Sequence, residues 1–327
     1  MKRITFKKES VKLKTKKRNL LLLIISLLVM TACQSAVTFK DPKIEEVVRK
    51  KIDKLSGTIN KEDINWITEL KIDVKDIDNL DGIEALNNLE DVTIKTDSIK
   101  DISALAGLEN LKELNIDTYL TKESLETINQ LKNNNVDVTY VIYFADSQFE
   151  NLVYKYIKRN NDIKFDKLTN KISNKIKKID IYSFDDDTRI KSLDGLQYFN
   201  NLESLSLTGL NITDISRLSS LRNLKELNLN SNQIKDITPL KNLNKLRKLS
   251  FASNEVKDIS VLRNLNNIEE VGVGLNKGLK DISPVLKLAR LKEVGLGILD
   301  TSEKTKEILK ELKERKIKTA IYLNWRD

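Results

Sequence analysis

A period of 22 residues governs the second half of this chain. "LESLSLTGLNITDISRLSSLRN" from Leu202, "LKELNLNSNQIKDITPLKNLNK" from Leu224 and "LRKLSFASNEVKDISVLRNLNN" from Leu246 keep apolar residues in the same places. A fourth copy from Ile268 carries one extra residue near Gly278, and a partial fifth begins at Leu291. Within a copy, Leu227 and Leu229 alternate with Asn228 and Asn230, a period of 2 that specifies a short strand with one apolar face. Ile234, Ile237 and Leu240 supply an apolar back that one unit cannot bury alone, so the copies must stack.

The unit reads L-x-x-L-x-L-x-x-N-x-I-x-D-I-x-x-L and matches the leucine-rich repeat pattern. The expected fold class is therefore an α/β solenoid, with short parallel strands on a concave face and 3-10 or helical turns behind. Asn232, Asn254 and Asn276 fall at the bend after the strand, where a buried carboxamide can bond backbone groups that no strand ladder satisfies. Leu210 and Asp97 replace it elsewhere, and those two turns are expected to be less regular.

A coarser duplication overlies the short one. "FKDPKIEEVVRKKIDKLSG" from Phe39 is echoed by "FADSQFENLVYKYIKRNND" from Phe144, and "LDGIEALNNLEDVTI" from Leu80 by "LDGLQYFNNLESLSL" from Leu193. Each half opens with a helical segment, in which Ile44, Val47 and Val48 fall at helical spacing, and closes with a helix and an apolar strand. An open solenoid needs such end units to cover its last apolar turn. The expected organisation is residues 1–32 as a signal peptide, 33–38 as a linker, 39–143 as a cap with a short repeat module, and 144–327 as a cap with a longer one.

The chain has 327 residues and a formal net charge of +9. That excess sits at the N-terminus: residues 1–32 hold nine Lys or Arg and one Glu, leaving 48 basic against 47 acidic side chains beyond them. A phosphate-binding surface needs a concentrated basic face, and the repeats interleave Lys with Glu and Asp, so nucleic acid is not an expected partner. The basic "MKRITFKKESVKLKTKKRN" is followed by "LLLIISLLVMTA" and Cys33, the order of a secretory signal. Its apolar run is well short of the ~20 residues that span a bilayer. "MTAC" resembles the lipobox of bacterial lipoproteins, with Met30 where leucine is commoner. The resemblance implies that Cys33 is acylated, with palmitate or a similar chain, and becomes the N-terminus of an exported, membrane-anchored protein.

Chemistry is sparsely provided for. There is no histidine, Cys33 is the sole cysteine, and no cofactor motif appears, so the chain reads as a non-enzyme. The recurrent Asp101, Asp214, Asp236, Asp258 and Asp281 fit caps of the back-side turns by accepting backbone N–H bonds. Neither "DDD" at Asp185–Asp187 nor "DVKDIDNLDG" from Asp73 has calcium-loop spacing, and no metal site is expected. Gly272 with Gly274, and Gly295 with Gly297, stand at outward strand positions, where they could admit a partner's backbone or be simple drift.

The order of F-x-D plus helix, "ITEL", "LDGIEALNNL", "DISAL" and "DITPLKNL" resembles the internalin-type leucine-rich repeat proteins of Gram-positive bacteria. The resemblance implies a right-handed curved solenoid with a helical N-terminal cap that binds protein partners on its concave sheet. No cell-wall sorting signal or immunoglobulin-like module follows the repeats. On this reading the ligand-binding positions are Ser204, Glu226, Lys248, Glu270 and Glu293 in one column, with Asn228, Ser250 and Asn230 beside them; Ser206, Thr208 and Ala252 complete the outward set. None of these is aromatic, so a polar, charge-steered interface is expected. The alternatives are a structural envelope component that binds glycan or wall polymer and, further off, a carboxylate-dependent hydrolase.

Overall fold

The computed structural model describes residues 36–183, 185, 187–297 and 302–320. The signal-like segment, Cys33, Asp186 and the final "IYLNWRD" lie outside the described residues. Two compact units divide at Tyr140 and Val141.

In the first unit, β1 (Ala36–Val37) pairs antiparallel with β2 (Ile59–Asn60). Val37 in β1 is buried, two residues before Phe39. Helix α1 (Pro42–Lys51) starts where Asp41 accepts the Lys43 N–H at 2.9 Å, with proline at the first turn, where its missing N–H costs nothing. Ile44 and Val48 are fully buried on its inner face. The short α2 (Lys61–Ile64) leads into β3 (Glu69–Asp73), followed by β4 (Asp91–Lys95) and β5 (Glu113–Tyr119), joined in parallel. Helix α3 (Lys122–Asn133) and β6 (Asp137–Val141) close this four-stranded sheet.

The second unit repeats that plan with more turns. Helices α4 (Ser147–Asn160) and α5 (Asn170–Ser173) precede β7 (Lys178–Tyr182), β8 (Ser204–Thr208), β9 (Glu226–Asn228), β10 (Lys248–Ser250), β11 (Glu270–Gly272) and β12 (Glu293–Gly295). Helix α6 (Glu303–Glu314) and β13 (Lys318–Ala320) end it. All seven strands are parallel and lie in sequence order, and 3-10 turns such as Thr238–Asn242 and Ser260–Asn264 form the back. This is a leucine-rich repeat solenoid. Inward Leu205, Leu227, Leu249, Val271 and Val294 form one buried row, each side chain contributing about 1.5–3 kcal/mol on leaving water.

Two repeated devices hold the turns together. The Asn254 carboxamide donates to Leu229 O at 2.9 Å and Phe251 O at 3.0 Å and accepts the Ile234 N–H at 2.9 Å. Asn232 and Asn276 repeat this one turn to either side. On the back, Asp101, Asp214, Asp236, Asp258 and Asp281 each accept the N–H of the residue two positions on, at 2.7–2.9 Å.

The turn at Leu210 departs from its neighbours as the sequence suggests: Asn211 has left-handed backbone, φ 54, which its equivalents Gln233 and Glu255 do not. Asn232 of the following turn takes both the Leu210 and Ile212 N–H groups, so the missing carboxamide is covered from one side. Gly209 N–H bonds Asn230 O as Ser231 N–H bonds Ala252 O. In the first unit hydroxyls stand in: Thr96 Oγ1 bonds Ser98 O at 2.9 Å and Thr118 Oγ1 bonds Asp97 O at 3.3 Å.

Candidate functional site

Strand register builds the concave face of the second unit. Because each turn adds one strand, side chains at equivalent positions line up across the sheet: Lys178, Ser204, Glu226, Lys248, Glu270, Glu293 and Lys318 are successive partners in one column. Its charges are partly spent on each other. Ser204 Oγ donates to Glu226 at 3.2 Å, Lys248 lies 3.2 Å from Glu270, and Lys318 lies 3.1 Å from Glu293. Such half-exposed pairs contribute little to stability.

The second column runs Asp180, Ser206, Asn228, Ser250, Gly272 and Gly295. Here the sequence expectation fails at Ser250, which is only 1% exposed. Its hydroxyl donates to Asn230 Oδ1 at 2.6 Å, and that same oxygen takes the Ala252 N–H at 2.8 Å. Ser250 is a structural link beneath the surface, whereas Asn228, Asn230, Ser206, Thr208 and Ala252 remain partly exposed.

Gly274 and Gly297 serve the chain itself. A Cβ on Gly274 would stand 2.5 Å from the Gly297 nitrogen, and one on Gly297 would stand 2.8 Å from the Leu275 nitrogen. Adjacent turns therefore approach too closely for any side chain at these two positions, which accounts for this pair without drift or a partner's backbone.

One prominent group on this face escaped the sequence reading. Tyr182, 61% exposed, is the register partner of Thr208 and stands at the first-strand edge of the third column. It belongs to the opening cap strand, which lies outside the 22-residue period. Beside it, α4 and β7 bound an open cleft of about 920 Å³ lined by Lys155, Arg159, Lys175 and Lys178 with Tyr156 and Tyr182.

Asp101, Asp258 and Asp281 lack the electrostatics of catalytic acids. Backbone N–H bonds from Ser103 and Ser260 hold Asp101 and Asp258 below the usual carboxylate range, and the Ser283 N–H, then Lys304, bring Asp281 down to about 2. A general acid needs the opposite shift. Among the described residues no cluster of His, Cys, Asp or Glu could hold a metal ion, and no helix is long and apolar enough to cross a membrane.

Residues 200–242 match the family model for leucine-rich repeats in two copies. The repeat assignment of the fold rests on that match and on the strand ladder above. Among solved structures the chain is similar to an internalin, InlF, of Listeria monocytogenes, at 24% identity over 86% of this chain and 75% of that one, with a TM-score of 0.39. It is similar to internalin C2 of the same organism at 24% identity over 81% and 88%, TM-score 0.32. A leucine-rich repeat protein of Leptospira interrogans shares 17% identity over 79% and 74%, TM-score 0.38. Comparison with curated proteins finds no match.

Proposed function

We propose that the protein is an exported, lipid-anchored scaffold that binds a protein partner through the concave sheet of its second unit. The observation that carries this reading is the in-register column from Lys178 to Lys318, a continuous polar stripe on a rigid parallel sheet. A rigid face with charges fixed at strand spacing favours recognition by complementarity over tight apolar anchoring. Cys33 is the attachment point, and two acyl chains on it would hold firmly, since each buried CH₂ contributes about 0.8 kcal/mol. With Ala36 already in β1, the tether from Cys33 spans at most about 11 Å, so the first unit lies close to the bilayer.

The test is capture of a partner from intact cells by the purified protein, compared with the Glu226→Lys plus Glu270→Lys form. Capture that survives the double reversal unchanged, in mild salt, contradicts the concave-face reading. Capture of a wall glycan in place of a protein would favour an envelope-structural role instead.

A further inference from the structure

We infer that the cleft between α4 and β7 is a docking site for an acidic, extended peptide segment of a protein partner. This rests on the concave-face reading above and deepens it, because Lys178, Asp180 and Tyr182 are at once walls of the cleft and the first members of the three concave columns.

Charge is the first argument. Five basic side chains line the cleft against one acidic, Asp180. Lys177 is engaged with Glu203 at 3.5 Å. Lys155, Arg159, Lys175 and Lys178 form no ion pair among the described residues, although ion pairs link neighbouring turns throughout both units.

The duplication supplies the control. Asp41 and Asp146 cap the corresponding helices α1 and α4, and each also binds a loop N–H, of Asp78 at 2.9 Å and of Lys191 at 2.7 Å. Asn60 and Thr169 cap α2 and α5 with the same backbone angles, φ −106 and ψ 164. These anchors align the two caps, with α4 longer than α1, 14 residues against 10. In the first, Lys50 is paired with Glu46 at 2.6 Å and Lys54 with Asp63 at 2.7 Å. In the second the cation of Lys50 persists as Lys155, but Glu46 and Asp63 have become Asn151 and Ile172, and the longer α4 adds Arg159 in its last turn. Glu69, the first residue of β3, corresponds to Lys178, and Asp73 to Tyr182. The same scaffold is built with neutralised cations in one unit and unneutralised ones in the other, so folding does not require the exposed charge. A bound anion does.

The size and lining select a peptide over a small anion. About 920 Å³ is at the upper end of ligand pockets, which run to roughly 1,000 Å³, and the Tyr156 and Tyr182 rings give apolar platforms that phosphate would leave unused. Burial, reinforced by the Asp180 carboxylate, holds the Tyr156 phenol above its ordinary pKa, so it remains an O–H donor at neutral pH. A chain leaving the cleft along the sheet would next meet Ser204 and then Glu226, so its acidic stretch sits over Lys178 and its polarity reverses beyond.

The experiment is fluorescence anisotropy with the full chain in detergent and a fluorescein-labelled twelve-residue peptide of alternating Glu and Leu, against its Lys and Leu counterpart and inorganic polyphosphate. The Glu peptide should bind with an affinity that falls steeply with salt. It should weaken tenfold or more in Arg159→Glu plus Lys178→Glu and severalfold in Asn151→Glu, which restores the carboxylate that Glu46 provides in the first unit. The back-side pair Lys241→Glu plus Lys245→Glu should change it less than twofold, and Tyr182→Ala should weaken binding that persists in high salt. No binding of the Glu peptide, equal loss from back-side and cleft reversals, or retention of polyphosphate alone overturns the assignment. A concave face that still recognises its partner after the cleft is reversed would overturn this inference and leave the broader function standing.

Discussion

Gly195 lies flat against the ring of Phe144: a Cβ built on the glycine would stand 2.4 Å from the Phe144 Cδ1 carbon. The relationship recurs between Gly82 and Phe39, where the Cβ would lie 2.9 Å from the phenylalanine Cα. Both glycines also have left-handed backbone, with φ of 111 and 102. Gly195→Ala should therefore cost the second unit both overpacking and backbone strain, about 2–4 kcal/mol together, read by chemical denaturation. Gly57→Ala has φ 85 but nothing within 4 Å, so it should cost only about 1 kcal/mol.

Asn254→Ala should be among the most destabilising single changes. It orphans the buried Ile234 N–H and removes one of two carboxamide donors from each of the Leu229 and Phe251 carbonyls, which keep Asn232 and Asn276, for an expected loss of about 1–3 kcal/mol of unfolding free energy. Asn228→Ala, partly exposed on the sheet, should cost under about 1 kcal/mol.

Acid should loosen the back of the solenoid. Asp101, Asp258 and Asp281 have folded-state pKa values held below the ordinary carboxylate value by backbone N–H bonds from the serines that follow, so they stabilise the fold at pH above the unfolded value. That stability is lost as pH falls from about 4 toward the folded pKa, about 2 for Asp281. Asp281→Asn should flatten the pH dependence of the melting temperature between pH 4 and 2, and leave its slope unchanged above pH 5.

Labelling with a clickable fatty acid should mark the wild type and miss Cys33→Ser. Equal labelling of both forms would exclude acylation at Cys33.

The repeat was legible because burial enforces it: Leu227, Leu249 and Val271 must face inward in every turn, and the 22-residue alignment follows. Asn254 and Asp258 were readable for the same reason, since every turn leaves the same backbone groups unsatisfied. Ser250 was not, because alternation assigns a side of the sheet but cannot tell that Asn230 of the preceding turn bends over it. The α4–β7 cleft depends on residues far apart in sequence, Arg159 and Lys178, and its signal was the loss of Glu46, Asp63 and Glu69 between the two aligned caps.

Position-specific photo-crosslinking tests the central claim most directly. A benzophenone amino acid placed singly at Glu226 or Asn228 on the sheet, or at Lys241 or Lys245 on the back-side turns, would be activated on intact cells bearing the full-length protein. A discrete protein adduct formed from Glu226 and Asn228 and absent from Lys241 and Lys245 is the predicted result. The same adduct formed from the back-side positions and missing from the sheet would contradict it.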